Sequence, residues 1–147
     1  MTQDKLDISR ATEAIKDIRF VEALGLLESN LAKDPNHIDS LYLAAVCSRY
    51  LKNYDDSKKY IESLLSKAPD MGRAYQELGH LNRDMGNGEN AIAHYRQACE
   101  LNPALLASWK ALYDYFKRNK NKPAADHAFM QMNTLQSIPS ILLYISQ

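Results

Sequence analysis

The chain has 147 residues, 46% of them hydrophobic and 24% charged, enough to bury one continuous core but hardly more than one domain. Lysine plus arginine and aspartate plus glutamate both number 18, which excludes an overall basic field of the kind that draws nucleic acid or anionic membrane. The opening Met1-Thr2-Gln3-Asp4-Lys5 lacks the basic start and apolar run of a signal peptide, and no stretch approaches the roughly 20 apolar residues that span a bilayer, so a cytoplasmic protein is expected.

From the amino terminus onward, apolar residues recur at i, i+3, i+4 and i+7, the stripe of a helix with one buried face. The pattern predicts helices over 5–17, 20–33, 38–51, 54–67, 72–85, 88–101, 106–118 and 122–135. In the first of these the strict period puts Asp7 and Arg10 where bulky apolar residues belong. A slide of one residue gives the stripe Ile8, Ala11, Thr12 and Ile15, and this register is the expected one, with a turn one residue shorter. Asp34-Pro35, Ala68-Pro69 and Asn102-Pro103 each end a helix, because the residue before proline is pushed out of the helical region. The other turns are Leu51-Lys52-Asn53-Tyr54, Met85-Gly86-Asn87-Gly88 and Asn119-Lys120-Asn121-Lys122-Pro123, the last proline suiting the first turn of a helix. Pro139 then opens 140–147, whose Ile141, Leu142, Leu143, Tyr144 and Ile145 predict either a cap on the last unit or the start of a fifth.

Pro35, Pro69 and Pro103 fall 34 residues apart, and their surroundings recur in the same columns. One column holds Ala23, Ser57, Ala91 and Ala125, small residues that predict two helices in close contact. Four residues later stand the bulky Leu27, Ile61, Tyr95 and Phe129. The first helix of each unit carries Leu41, Tyr75 and Trp109 in one column and Ala44, Leu78 and Leu112 three residues on, followed by the small Ala45 and Gly79. This pattern resembles the tetratricopeptide repeat, a helix-turn-helix unit of the same length. The resemblance implies an all-α fold, a right-handed α-solenoid of about four units near 4–37, 38–71, 72–105 and 106–139. These would form one domain over 1–147 with a C-terminal capping helix at 140–147. Tyr113 replaces the small residue in the fourth unit and Ser137 stands in the proline column, so the stack is expected to loosen there.

Catalytic chemistry finds little support. His37, His80, His94 and His127 are scattered over four elements, and no pair has the i, i+4 spacing with an intervening glutamate of a zinc helix, so no metal site is expected. Cys47 and Cys99 lie near columns that pack helix on helix, which predicts reduced, buried thiols and not a Cys-His nucleophile pair. Gly86-Asn87-Gly88 lacks the preceding strand and the following Lys-Ser/Thr of a phosphate loop and reads as a tight turn. No cofactor is expected, and the chain is not expected to be an enzyme.

Function is then expected from surface shape. In the tetratricopeptide family the second, fifth, sixth, ninth, twelfth and thirteenth residues of each unit line a concave groove, and the resemblance carries these roles onto the present positions. The second unit offers Asp39, Tyr42, Leu43, Val46, Arg49 and Tyr50, an apolar and aromatic floor. The third offers Arg73, Gln76, Glu77, His80, Arg83 and Asp84, and the fourth Ala107, Lys110, Ala111, Asp114, Lys117 and Arg118, where basic residues outnumber acidic ones. The expected function is a scaffold binding a protein or peptide segment with an apolar anchor and acidic residues. The clamp that holds the tails of heat-shock chaperones in this family is not expected: its positions hold Ile8 and Thr12 in the strict register, then Leu43, Arg73 and Glu77, and only Arg73 keeps the charge. The run from Ala98 to Leu112, followed by Ala124 to Phe129, is also similar to the repeat segment of some bacterial sulfotransferase proteins, which implies the noncatalytic part of a larger enzyme as one alternative. Self-association through the apolar 141–145 segment, giving a homodimer, is another.

Overall fold

In a computed structural model, which describes residues 3–137, the described residues form helices and no strand. Among the described residues there are eight: α1 (Gln3–Lys16), α2 (Phe20–Lys33), α3 (Ile38–Tyr50), α4 (Tyr54–Lys67), α5 (Gly72–Asp84), α6 (Gly88–Leu101), α7 (Leu106–Arg118) and α8 (Lys122–Ser137). They agree with the predicted spans to within two residues at every end. The expected cap or fifth unit at 140–147, and with it the 141–145 segment, lies outside the described residues.

The turns inside the helix pairs share one geometry. Ile18, Lys52, Gly86 and Lys120, each 34 residues from the next, all have positive φ, at 61, 63, 83 and 57°. Each is the left-handed residue of a Schellman motif. The amide after it reaches back to the last helical turn, as in Arg19 N to Ala14 O at 2.8 Å, Asn53 N to Ser48 O at 2.8 Å, Asn87 N to Asn82 O at 2.8 Å and Asn121 N to Phe116 O at 2.9 Å. Carbonyls that the helix end leaves without partners are satisfied in this way.

This recurrence corrects the sequence-based register of the first unit. The α1–α2 turn is as long as the others, so the strict period holds and the slide does not. Asp7 accordingly sits in the bulky column with only 5% of its surface exposed, beside the buried Ala11 and Ala14, while Ile8, Thr12 and Ile15 are half-buried on the neighbouring stripe. An apolar stripe was a weaker constraint than the closed turn. The position after α1 thereby falls to Ile18, a β-branched residue in a region that costs a side chain about 1–2 kcal/mol. Its side chain is 74% exposed and contributes no packing in return. Ile18→Asn, which suits left-handed backbone, is therefore expected to stabilise the protein by about 1 kcal/mol, measured as a shift of the urea midpoint without a change of slope.

The helices fall into two compact units, one carrying α1–α4 and ending at Pro69, the other beginning at Asp70 and carrying α5–α8. In the first, Ala11, Ala14, Ala23, Leu27, Ala44 and Cys47 form a core, with small residues letting three helix backbones approach. Ser57 holds the small column of α4, where its Oγ donates to the Ala45 carbonyl at 2.9 Å and so pairs the hydroxyl that burial would otherwise strand. The α2–α3 corner is built around Ser40. Its Oγ accepts from Asn30 Nδ2 at 3.1 Å and lies 2.7 Å from His37 Nδ1, the ring that caps α3.

In the second unit Ile92, Tyr95, Cys99, Leu112 and Phe116 pack with Ala91, Ala125 and Ala128. The small column is buried throughout, at Ala23, Ser57, Ala91 and Ala125. Phe129 departs from its column. Leu27, Ile61 and Tyr95 are buried, but Phe129 is 46% exposed. The cause is the residue opposite: Tyr95 lies over Gly79, whereas Phe129 meets Tyr113, their rings tilted by 40° with centroids 5.7 Å apart. α7 and α8 are nevertheless packed against each other.

Candidate partner-binding site

The second unit presents one candidate face along α5 and α7. Turn after turn of α5 places Arg73, Gln76, His80 and Arg83 on one stripe, and the same spacing along α7 places Ala107, Lys110, Asp114 and Lys117. Ser108 Oγ donates to Gln76 Oε1 at 2.7 Å and ties the two helices together. His80 is fixed from behind by Tyr95, with Nδ1 2.6 Å from the phenol oxygen.

Arg73, Arg83, Lys110, Lys117 and Arg118 are exposed on these two helices, and so are Asp84 and Asp114. Glu77 is a correction. It was expected among the contact residues, yet it is 2% exposed and engaged by its own neighbours, because it lies on the flank of α5 that turns inward. Its burial leaves five exposed cations facing two exposed carboxylates. Arg83 is paired with Asp84 at 3.1 Å, and the Lys117 ammonium stands 5.6 Å from the centre of the Tyr113 ring. Asp114, Lys117 and Arg118 line an open hollow of about 340 Å³.

In the first unit the expected apolar floor is only partly a surface. Tyr42, Leu43 and Val46 are half-buried, Leu43 packing against the core. Arg49 is a second correction: it is 6% exposed, and its guanidinium lies 4.6 Å from the centre of the Tyr50 ring, so it supports the fold in place of offering a contact. Tyr50 is exposed and stacks on Phe20, with centroids 4.6 Å apart and planes 1° from parallel. The restored register adds Ile8, Thr12 and Ile15 of α1 to this side of the unit, the first two at the clamp positions given by the strict period.

Among the described residues no cluster of histidine, cysteine, aspartate or glutamate could hold a metal ion, and no helix is long and apolar enough to cross a membrane. Cys47 and Cys99 are buried and form no disulfide. Burial, and secondarily the Glu100 carboxylate, push the Cys99 thiol up to about 12, far from the thiolate that a nucleophile needs. Burial also lowers His94 below the usual imidazole range.

Residues 72–105 match the sequence profile of the tetratricopeptide repeat. No curated protein sequence matches the chain. Among solved structures, MamA 41-end from Desulfovibrio magneticus RS-1 superposes with a TM-score of 0.73 at 19% identity, covering 91% of this chain and 76% of that one. Another MamA crystal structure gives 0.70 at 13% identity, over 91% and 77%. The first tetratricopeptide repeat domain of Spaghetti (RPAP3), bound to the HSP90 peptide SRMEEVD, gives 0.71 at 15% identity, over 80% of this chain and 94% of that one. The fold is therefore that of an all-α helical solenoid built from helix-turn-helix repeats. Residues 72–105 are similar to a tetratricopeptide repeat, and most of the chain shares the fold of solved tetratricopeptide repeat structures. The shorter resemblance to a sulfotransferase repeat segment gains no support from these matches.

Proposed function

We propose that the chain is a noncatalytic binding module that captures an acidic peptide segment of a partner protein on the exposed face of α5 and α7. The observation that carries this is the charge of that face: five exposed cations against two exposed carboxylates on a chain that is neutral overall. Such an imbalance steers and orients an acidic ligand. The related fold of RPAP3 is bound to a peptide with three acidic residues, which supports peptide capture as a use of this architecture. The ligand here differs from that peptide's class, since Leu43 and Glu77 stand where the chaperone-tail clamp has polar and basic groups.

A random peptide library displayed on phage and selected on the full chain tests the proposal. Recovered peptides are expected to be rich in aspartate and glutamate, and the double variant Lys110→Glu/Lys117→Glu is expected to weaken them by about tenfold or more with helical circular dichroism unchanged. Binding should also fall when salt is raised to about 0.5 M, where charges are screened within a few ångströms. Recovery of uncharged peptides that bind the double variant equally well would sink it.

A further inference from the structure

The α7–α8 hairpin holds a feature that neither the repeat pattern nor the face on α5 and α7 accounts for. A cleft of about 340 Å³ lies between the two helices, floored by Tyr113, Phe116 and Ala125. Its origin is Tyr113. Where Gly79 lets Tyr95 close over the helix pair, the Tyr113 phenol stands in the column itself and Phe129 is turned outward. Lys117, Lys120 and Lys122 also line the cleft, with Asp126 the one carboxylate among the lining residues. Asp126 is already committed: Lys122 Nζ donates to its Oδ2 at 2.7 Å, and this bond holds Lys122 above the usual lysine range. No described carboxylate lies within ion-pair distance of Lys117 or Lys120. The volume falls at the lower end of ligand pockets, about 300 Å³ and upward, enough to admit a large side chain.

We propose that this cleft takes the apolar anchor of an acidic peptide, an aromatic or branched aliphatic side chain flanked by aspartate or glutamate, with the ring against Tyr113 and Phe116 and the carboxylates on Lys117 and Lys120. An apolar anchor in a pocket also lined by charge is the arrangement from which interface hot spots arise. The proposal rests on peptide capture by the α5 and α7 face, and Lys117 belongs to both.

The full chain is titrated, by fluorescence anisotropy, with a fluorescein-labelled peptide carrying one phenylalanine between two glutamates, and with a copy in which alanine replaces the phenylalanine. The phenylalanine peptide is expected to bind about tenfold more tightly, and Lys120→Glu, exposed in the turn, to weaken it by a similar factor. A photoreactive benzoyl-phenylalanine in the same place is expected to crosslink within 113–126. Equal binding of the two peptides, or crosslinks confined to α5, would overturn the cleft and leave the face standing. Crosslinks within 113–126 with binding indifferent to Lys110→Glu would uphold the cleft and overturn the face, and failure of both peptides to bind would overturn both.

Discussion

Gly79→Ala is expected to destabilise the protein by about 2 kcal/mol, although alanine ordinarily gains about 1 kcal/mol over glycine inside a helix. A Cβ at this position would lie 2.6 Å from Cε1 and 2.7 Å from Cδ1 of Tyr95. That ring cannot step aside cheaply. It is 1% exposed in the core of the second unit, and its hydroxyl is bound to His80 at 2.6 Å, a bond worth roughly 1 kcal/mol that any retreat breaks. Gly25→Ala is the control, because nothing lies within 4 Å of the Cβ it adds and the residue is exposed in the interior of α2. The same substitution there should raise stability by roughly 0.5–1 kcal/mol. Urea unfolding of both variants measures the two signs together. Equal effects at the two sites would show that the Tyr95 contact carries no weight.

Leu27→Ala is expected to cost more, about 3–4 kcal/mol, toward the upper end for buried leucines. The side chain is fully buried, and its neighbours in the core are Ala11, Ala14, Ala23, Ala44 and Cys47. These short side chains cannot swing into the space a leucine leaves, and only the larger, partly buried residues packed against this core, such as Phe20, Leu24 and Leu43, could close on it. Leu27→Met keeps the volume and should cost under about 1.5 kcal/mol. Thermal unfolding followed at 222 nm separates the two, and a small loss for alanine would mean that the three helices close on the gap.

Much of this architecture was legible in the sequence because two chemical events repeat. Proline at 35, 69 and 103 stops every second helix, and the small column at Ala23, Ser57, Ala91 and Ala125 marks where the helices meet. What escaped was governed by local geometry that no side chain advertises. Ile18 and Lys52 occupy left-handed turn positions that residue type argues against, and only Gly86 announces one, so the register of α1 was misjudged by one residue. The burial of Asp7, Arg49 and Glu77 was likewise hidden, since a charged side chain in the sequence looks solvated until its partners are known. Of the candidate site, Arg73, Arg83, Lys110, Asp114 and Lys117, positions that the family resemblance implied, are exposed in the structure. The cleft beside them was foreshadowed only by Tyr113 in a column of small residues, because the volume depends on how Phe129 answers it.

The most direct test of peptide capture is a ¹⁵N–¹H correlation titration of the full chain with the phenylalanine-glutamate peptide. Capture on the proposed face predicts saturable shifts of the Arg73, Arg83, Lys110 and Lys117 amides and their close neighbours, diminishing as salt is raised. Shifts absent altogether, or confined to helices other than α5, α7 and α8, would contradict it.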